Sequence, residues 1–207
     1  MKFQDIILIH YHEIGLKGKN RSTFEKKLKH NVDRLLKAAG VEFEQIRIIS
    51  GRLAVVFSNG AEVTNVQNAF ELIKNIPGVA RVSKALKCQL SIDAMIEAGK
   101  VIMAQSGADH GSKNKLESFK VAARRNHTAF EVNSMQMNQL IGGALSDAFP
   151  DVKVQMKNPE LQVSVEAIEG SAYVYGQSEP GVGGLPVGSS GRVVGLLSSG
   201  IDSPVAL

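Results

Sequence analysis

Between Ile6 and Leu90 the spacing of the apolar residues changes period in a fixed order, and that order leaves few folds open. Residues 6–11, IILIHY, form an apolar, β-rich run. Phe24, Leu28, Val32, Leu35 and Leu36 then recur at helical spacing behind Ser22-Thr23-Phe24-Glu25, which predicts a capping box, and Gly40 ends the helix. Residues 45–49 and 53–57 flank Ser50-Gly51-Arg52, a hairpin signal. Val66, Ala69, Phe70 and Ile73 mark a second helix, Pro77-Gly78 stops it, and residues 79–90 predict a long strand.

Strand, helix, strand, strand, helix, strand is the order of a ferredoxin-like unit. A second α/β unit follows. Residues 92–104 predict an amphipathic helix and 109–115 a polar loop. Residues 118–123 alternate as a strand and end in Arg124-Arg125-Asn126-His127. A helix over 134–149 contains Gly142-Gly143 and stops at Pro150-Asp151; strands follow at 152–156, 161–168 and 172–175. The Gly-, Pro- and Ser-rich stretch that comes next reads as a linker. A last apolar strand, 193–197, enters a small-residue turn, and Pro204 suits the first turn of a helix. The expected class is α+β, divided as a ferredoxin-like domain (1–66), a second α/β domain (67–175), a linker (176–190) and the start of a further α/β domain (191–207).

Composition narrows the function. No apolar run is long enough to span a bilayer, and the N-terminal run reads as a strand rather than a signal peptide. A single cysteine excludes an internal disulfide framework and fits a reducing, cytoplasmic setting. Residues 17–37 hold eight Lys/Arg against two acids, and 113–125 hold five against one. From Gly176 onward there is one Arg. A basic front and a neutral tail predict an anionic partner for the front.

The turn Ser198-Ser199-Gly200-Ile201-Asp202-Ser203 sits between an apolar strand and a helix start, the setting of a phosphate-cradling loop. It lacks the Gly-Lys-Ser/Thr of a Walker A loop. It resembles the PP-loop ATP pyrophosphatases, with signature Ser-Gly-Gly-x-Asp-Ser; Ser199 stands where the first Gly usually does. With its flanks, GVGGLPVGSSGRVVGLLSSGIDSPVA resembles the entry to the PP-loop domain of the tRNA 4-thiouridine synthetase (tRNA sulfurtransferase) family. Ile-Gly-Leu-Lys-Gly-Lys-Asn-Arg (14–21) is similar to that family's first strand–helix junction. The resemblance implies a ferredoxin-like domain, a THUMP domain and the first strand of a truncated PP-loop domain. It implies a reaction in which ATP, with Mg²⁺, adenylates a tRNA uridine and a persulfide sulfur replaces the activated oxygen. Leu197, Ser198, Ser199, Gly200, Asp202 and Ser203 would then line the nucleotide site, with Asp202 holding Mg²⁺ or fixing the loop's amides. The implied partners are tRNA and a sulfur donor such as a cysteine desulfurase persulfide; a homodimer is admitted, and some of the family also serve thiamine biosynthesis. The family's sulfur-carrying cysteine lies beyond residue 207, so a partial or truncated chain is expected.

Lys17, Lys19, Arg21, Lys120, Arg124 and Arg125 are the candidate RNA contacts, with Lys26, Lys27, Lys29 and His127 beside them. Cys88 is read as a packed side chain, and His10 and His12 as structural or surface histidines. Three functions compete: the N-terminal part of a tRNA sulfurtransferase, a stand-alone tRNA-binding module without catalysis, and another PP-loop enzyme such as an amide-forming ligase. The tandem domains ahead of the loop argue against the last.

Overall fold

The computed structural model describes residues 3–109, 116–126, 130–191 and 194–206. The first unit runs β1 (Gln4–His10), two 3-10 turns (Glu13–Leu16 and Gly18–Asn20), α1 (Arg21–Ala38), β2 (Gln45–Ile49), β3 (Arg52–Val56), α2 (Val63–Lys74) and β4 (Arg81–Gln89). The predicted hairpin is there: Ser50 and Gly51 both take positive φ, 35° and 85°, as a tight two-residue turn requires. The predicted capping box is not. The 3-10 turns run straight into α1, so Asn20 already has helical backbone and caps nothing with its side chain. Glu25, the acid of the expected box, is instead buried and bonded to Tyr11 and Arg21. A division after residue 66 falls inside α2, whose Ala69, Phe70 and Ile73 share a core with Leu28, Val32, Leu36 and the inner residues of β1 and β3.

The second unit runs α3 (Ile92–Asp109), β5 (Ser118–Arg125), α4 (Ser134–Ala148), β6 (Lys153–Val154), β7 (Leu161–Ile168) and β8 (Ser171–Pro180). Helix α4 carries a capping box, Asn133 with Gln136. Met95, Met103, Met137, Ile141 and Leu145 of α3 and α4 pack on Phe119, Val163, Val165 and Val174. The predicted loop 109–115 and His127 lie outside the described residues, apart from the end of α3.

The two units share one eight-stranded sheet, ordered β2-β3-β1-β4-β8-β7-β5-β6. Its seam is the antiparallel pair β4–β8, with a register shift between Ser83 and Ala85 that leaves Gly176 and Gln177 opposite Lys84. The sheet is not flat. Arg52 of β3 and Glu166 of β7 are four strands apart in that order, roughly 19 Å on a flat sheet. Their side chains nevertheless meet at 2.7 Å. The sheet therefore curls about the seam, with the helices outside. Ile6, Leu8, Ile49, Ala54, Val56, Ala85, Ile168, Tyr173 and Tyr175 fill the concave face.

The predicted linker is mostly ordered structure. Residues 176–180 extend β8, with 178–180 pairing with β4 beyond the register shift, and Lys74 grips Glu179 at 2.6 Å. Residues 181–189 then fold back over the first unit as a strap. Gly181 N–H donates to Ala80 O, Val182 N–H to Lys74 O and Gly183 N–H to Val79 O, while Gly78 N–H donates to Gly183 O. Pro186 is buried beside Gly78, and Asn31 Nδ2 donates to Val187 O at 3.1 Å. Composition marked this stretch as irregular, but it carries no signal for where its backbone hydrogen bonds go. The strand expected over 193–197 does not form in its described part: Val194 and Leu196 are 95% and 92% exposed, and no described strand pairs with 194–197.

A Cβ at Gly181 would stand 2.4 Å from Val79 O, a backbone atom that cannot yield. Gly181→Ala should cost about 1–3 kcal/mol, the usual penalty of overpacking, and free the strap. Thermal melting with limited proteolysis checks this; unchanged melting and undiminished protection of 181–189 would show that the close approach of Gly181 to Val79 is not what holds the strap.

Candidate nucleic-acid interface

The basic front begins where β1 ends. Lys19 is exposed in the second 3-10 turn. Lys17 is half-buried, its Nζ 5.2 Å from the centre of the Phe24 ring, a cation–π distance. Arg21 is committed elsewhere: its Nε donates to Glu25 Oε1 at 2.8 Å and its Nη2 to the Tyr11 hydroxyl at 3.2 Å. Burial, and then the bond to Glu25, push the Tyr11 hydroxyl up to about 12, so it stays a donor. Lys26, Lys27 and His30 of α1 face the strap across an open cleft of about 340 Å³ closed by Phe24, Gly188 and Ser189.

The second basic segment is the end of β5. Alternation of the strand puts Lys120 and Arg124 on the concave face and Arg125 on the helix side. Arg124 is exposed and stands opposite Glu166 in the β5–β7 register. Arg125 is anchored: its amide donates to Ser134 Oγ and its Nη1 to Phe130 O, both at 3.0 Å. So Lys19, Arg124 and Arg125 are all exposed, but Arg125, like the half-buried Arg21, is also tied to the protein's own structure.

A buried polar network brings together the ends of β1 and β5, the strands that lead into or carry these segments, at one end of the curled sheet. Arg52 Nε lies 2.7 Å from Glu166 Oε2 and donates to His10 Nε2 at 3.1 Å. Arg52 Nη1 donates to Ser50 O, and the Tyr175 hydroxyl donates to Glu166 Oε1 at 2.9 Å. With its amide oxygen turned toward Arg52, Asn126 accepts from both terminal nitrogens at 3.2 Å. Ser50 N–H donates to Glu169 Oε1 at 3.1 Å, tying one hairpin turn to the other. His10 leads into the stretch that carries Lys17 and Lys19; Asn126 follows Arg124 and Arg125. Burial acts to raise the Glu166 pKa, but His10, the Arg52 charge and Tyr175 outweigh it and hold the carboxyl below its ordinary 4.5. Sequence reading singled out neither Arg52 nor Glu166. One signal was available: an acid inside the apolar run Val163-Ser164-Val165-Glu166-Ala167-Ile168 needs a buried partner.

The candidate nucleotide residues do come together, as a turn entering the five-residue helix α5 (Asp202–Ala206). Ser198 Oγ and Ser203 Oγ are 2.7 Å apart, and Gly200 N–H is turned inward to Ser198 Oγ at 3.3 Å. Leu197 is 68% exposed, and Ser199, Gly200 and Asp202 are exposed too. A turn without walls, its glycine amide already used, does not by itself enclose ATP and Mg²⁺. Cys88 is a packed side chain in β4, with its thiol pushed up to about 11 by burial.

Comparison with known proteins agrees with this architecture. Residues 6–83 match the family model of the ThiI ferredoxin-like domain, and 91–176 that of the THUMP domain. The chain is 39% identical over 201 residues to a "Probable tRNA sulfurtransferase" of Natranaerobius thermophilus, covering 97% of this chain and 47% of that protein. It thus spans about half the length of the curated relatives it matches. A solved 4-thiouridine synthetase–RNA complex with bound ATP superposes with a TM-score of 0.76 at 27% identity, over 98% of this chain and 48% of the other. PH1313 from Pyrococcus horikoshii Ot3 superposes with a TM-score of 0.82 at 26% identity, over 93% and 60% of the two chains.

Arg52→Ala would strand a buried carboxylate and should cost about 3–5 kcal/mol in chemical denaturation. Because the Glu166 pKa is lowered on folding, its contribution is present above 4.5 and lost as pH falls through the folded value. Glu166→Gln should therefore lose less stability than the parent on acidification below 4.5. Parallel acid profiles for the two chains would show that the network does not couple to folding.

Proposed function

The chain belongs to the tRNA sulfurtransferase family, as a ThiI ferredoxin-like domain followed by a THUMP domain, and on that premise we propose that it is the part that holds the tRNA. The observation that carries this reading is that the Arg52–Glu166 network brings together, at one end of the curled sheet, the ends of the strands that lead into or carry two basic segments, one from each unit. Lys19 and Arg124 contact phosphates, with Lys17 and Lys120 behind them and the Lys26–Lys27–His30 cleft alongside. Such contacts position an RNA without reading its sequence. A-form RNA is recognised mainly by shape and backbone.

In a longer protein of this family, ATP would activate a uridine of the held tRNA, and a persulfide donor would deliver the sulfur. Leu197 to Ser203 would supply one side of the nucleotide site and Asp202 a metal-facing or loop-fixing carboxylate. On its own, this chain binds tRNA and does not turn it over. The exposed turn at 197–203 favours that second reading for the chain as it stands.

Affinity for a tRNA transcript should fall steeply with salt as counterions are released. Removing two phosphate contacts with Lys19→Ala plus Arg124→Ala should flatten the log–log slope by roughly 1.5. Filter binding over a salt series measures it, and an unchanged slope removes both residues from the interface. Calorimetric titration of the chain with Mg²⁺-ATP should give no saturable heat. Micromolar affinity, about −8 kcal/mol, would mean that the nucleotide site is complete here.

A further inference from the structure

Arg52 and Glu166 are an unusual choice for joining two halves of a curled sheet. Both are buried, and taking a carboxylate and a guanidinium out of water costs several kcal/mol per ion, which their attraction repays only with excellent geometry. Two packed apolar side chains would hold the halves at least as firmly. The concave face already has such a contact in Ile49, Val56, Ile168 and Tyr173. Apolar contact is non-directional, however, and tolerates sliding. Within the sheet the halves are linked by the single β4–β8 seam, interrupted by its register shift, and beyond it only the strap at 181–183 adds backbone bonds, all on the helix side of the first unit at Lys74, Gly78, Val79 and Ala80 among the described residues.

One guanidinium reaches every piece that needs orienting. It touches His10, which leads into the Lys17–Lys19 stretch; Ser50 in the hairpin turn; Glu166 in β7; and Asn126, which follows Arg124 and Arg125. We infer that the Arg52–Glu166 pair is a positioning device for RNA binding. It fixes the angle between the two halves so that the basic segment of each reaches the same RNA at once. This inference rests on the reading of the chain as an RNA-binding unit, but its geometric half can be tested without RNA.

Spin labels at Ala38→Cys in α1 and Gln139→Cys in α4 sit on exposed helix positions of opposite halves. Cys88 is buried with a raised thiol pKa and should stay unlabelled. The parent should give a narrow distance distribution by pulsed electron resonance. Two variants replace the pair: Glu166→Gln, which keeps the shape, and Arg52→Met with Glu166→Leu, which keeps the volume. The apolar pair should melt no lower than the parent, yet broaden the distribution. It should also weaken tRNA binding about tenfold and lower the salt slope. Adding Arg124→Ala should then cost little more, because that segment no longer engages together with the first. Glu166→Gln guards against the apolar pair failing to fold.

A narrow distribution in both variants overturns the inference whatever the RNA does. Broadening with unchanged affinity and slope overturns it as well, since the angle would then not matter to binding. A parent that binds no tRNA sinks the functional reading, and the label distances still decide whether the pair sets the angle.

Discussion

Glu166 is 2% exposed, and a carboxylate so stripped of water stays ionised only where hydrogen bonds and a cation reach it, here from His10, Arg52 and Tyr175. No basic residue of its own strand or of β8 supplies that cation. It comes from Arg52, across the concave face, and much of the molecule's shape follows from the meeting. The sheet must curl, the hairpin turns must come within hydrogen-bonding range at Ser50 and Glu169, and the end of β5 must lie beside the end of β1. The apolar residues beneath supply the bulk of the attraction and the ion pair supplies its direction.

Much of the fold was legible locally, where period and turn chemistry decide. Leu161–Ile168 is a strand over the predicted residues, and the Ser50-Gly51 hairpin needs positive φ at two residues that can adopt it. The β-α-β-β-α-β order carried the first unit, and the Gly-Ser turn with its flanks pointed to the family. The curl of the sheet was not legible. It depends on a contact between residues 52 and 166, a separation at which periodicity says nothing. The expected capping box failed for a related reason: Ser22 and Glu25 have the right spacing, but a buried Tyr11 competes for the carboxylate and wins. The apolar residues near 193–197 show the opposite limit. A strand pattern is only an offer of hydrogen bonds, and no described edge takes it up.

The candidate site was legible as a class more than as residues. Charge counting found the two basic segments, but it could not tell the exposed Lys19 and Arg124 from Arg21, which is tied to Glu25, or from Arg125, which is exposed but bonded to Phe130. A guanidinium beside a carboxylate at i+4 could be either a helix staple or a free cation with a neighbour; only the burial of Glu25 decides.

The docked strap also sets the effective concentration of whatever follows it. Nine residues, 181–189, left free after β8 would reach about 16 Å as a flexible chain, from 5–6 Å times the square root of nine. Their bonds to Lys74, Val79, Ala80 and Asn31 remove that freedom, so the chain leaves from beside α1 and not from the end of the sheet. Residues 194–206 are thereby tethered at short range to the basic face of the first unit. A shorter tether confines a segment to a smaller volume, so encounters between the Ser198–Ser203 turn and anything bound on that face gain in frequency without any new contact between them.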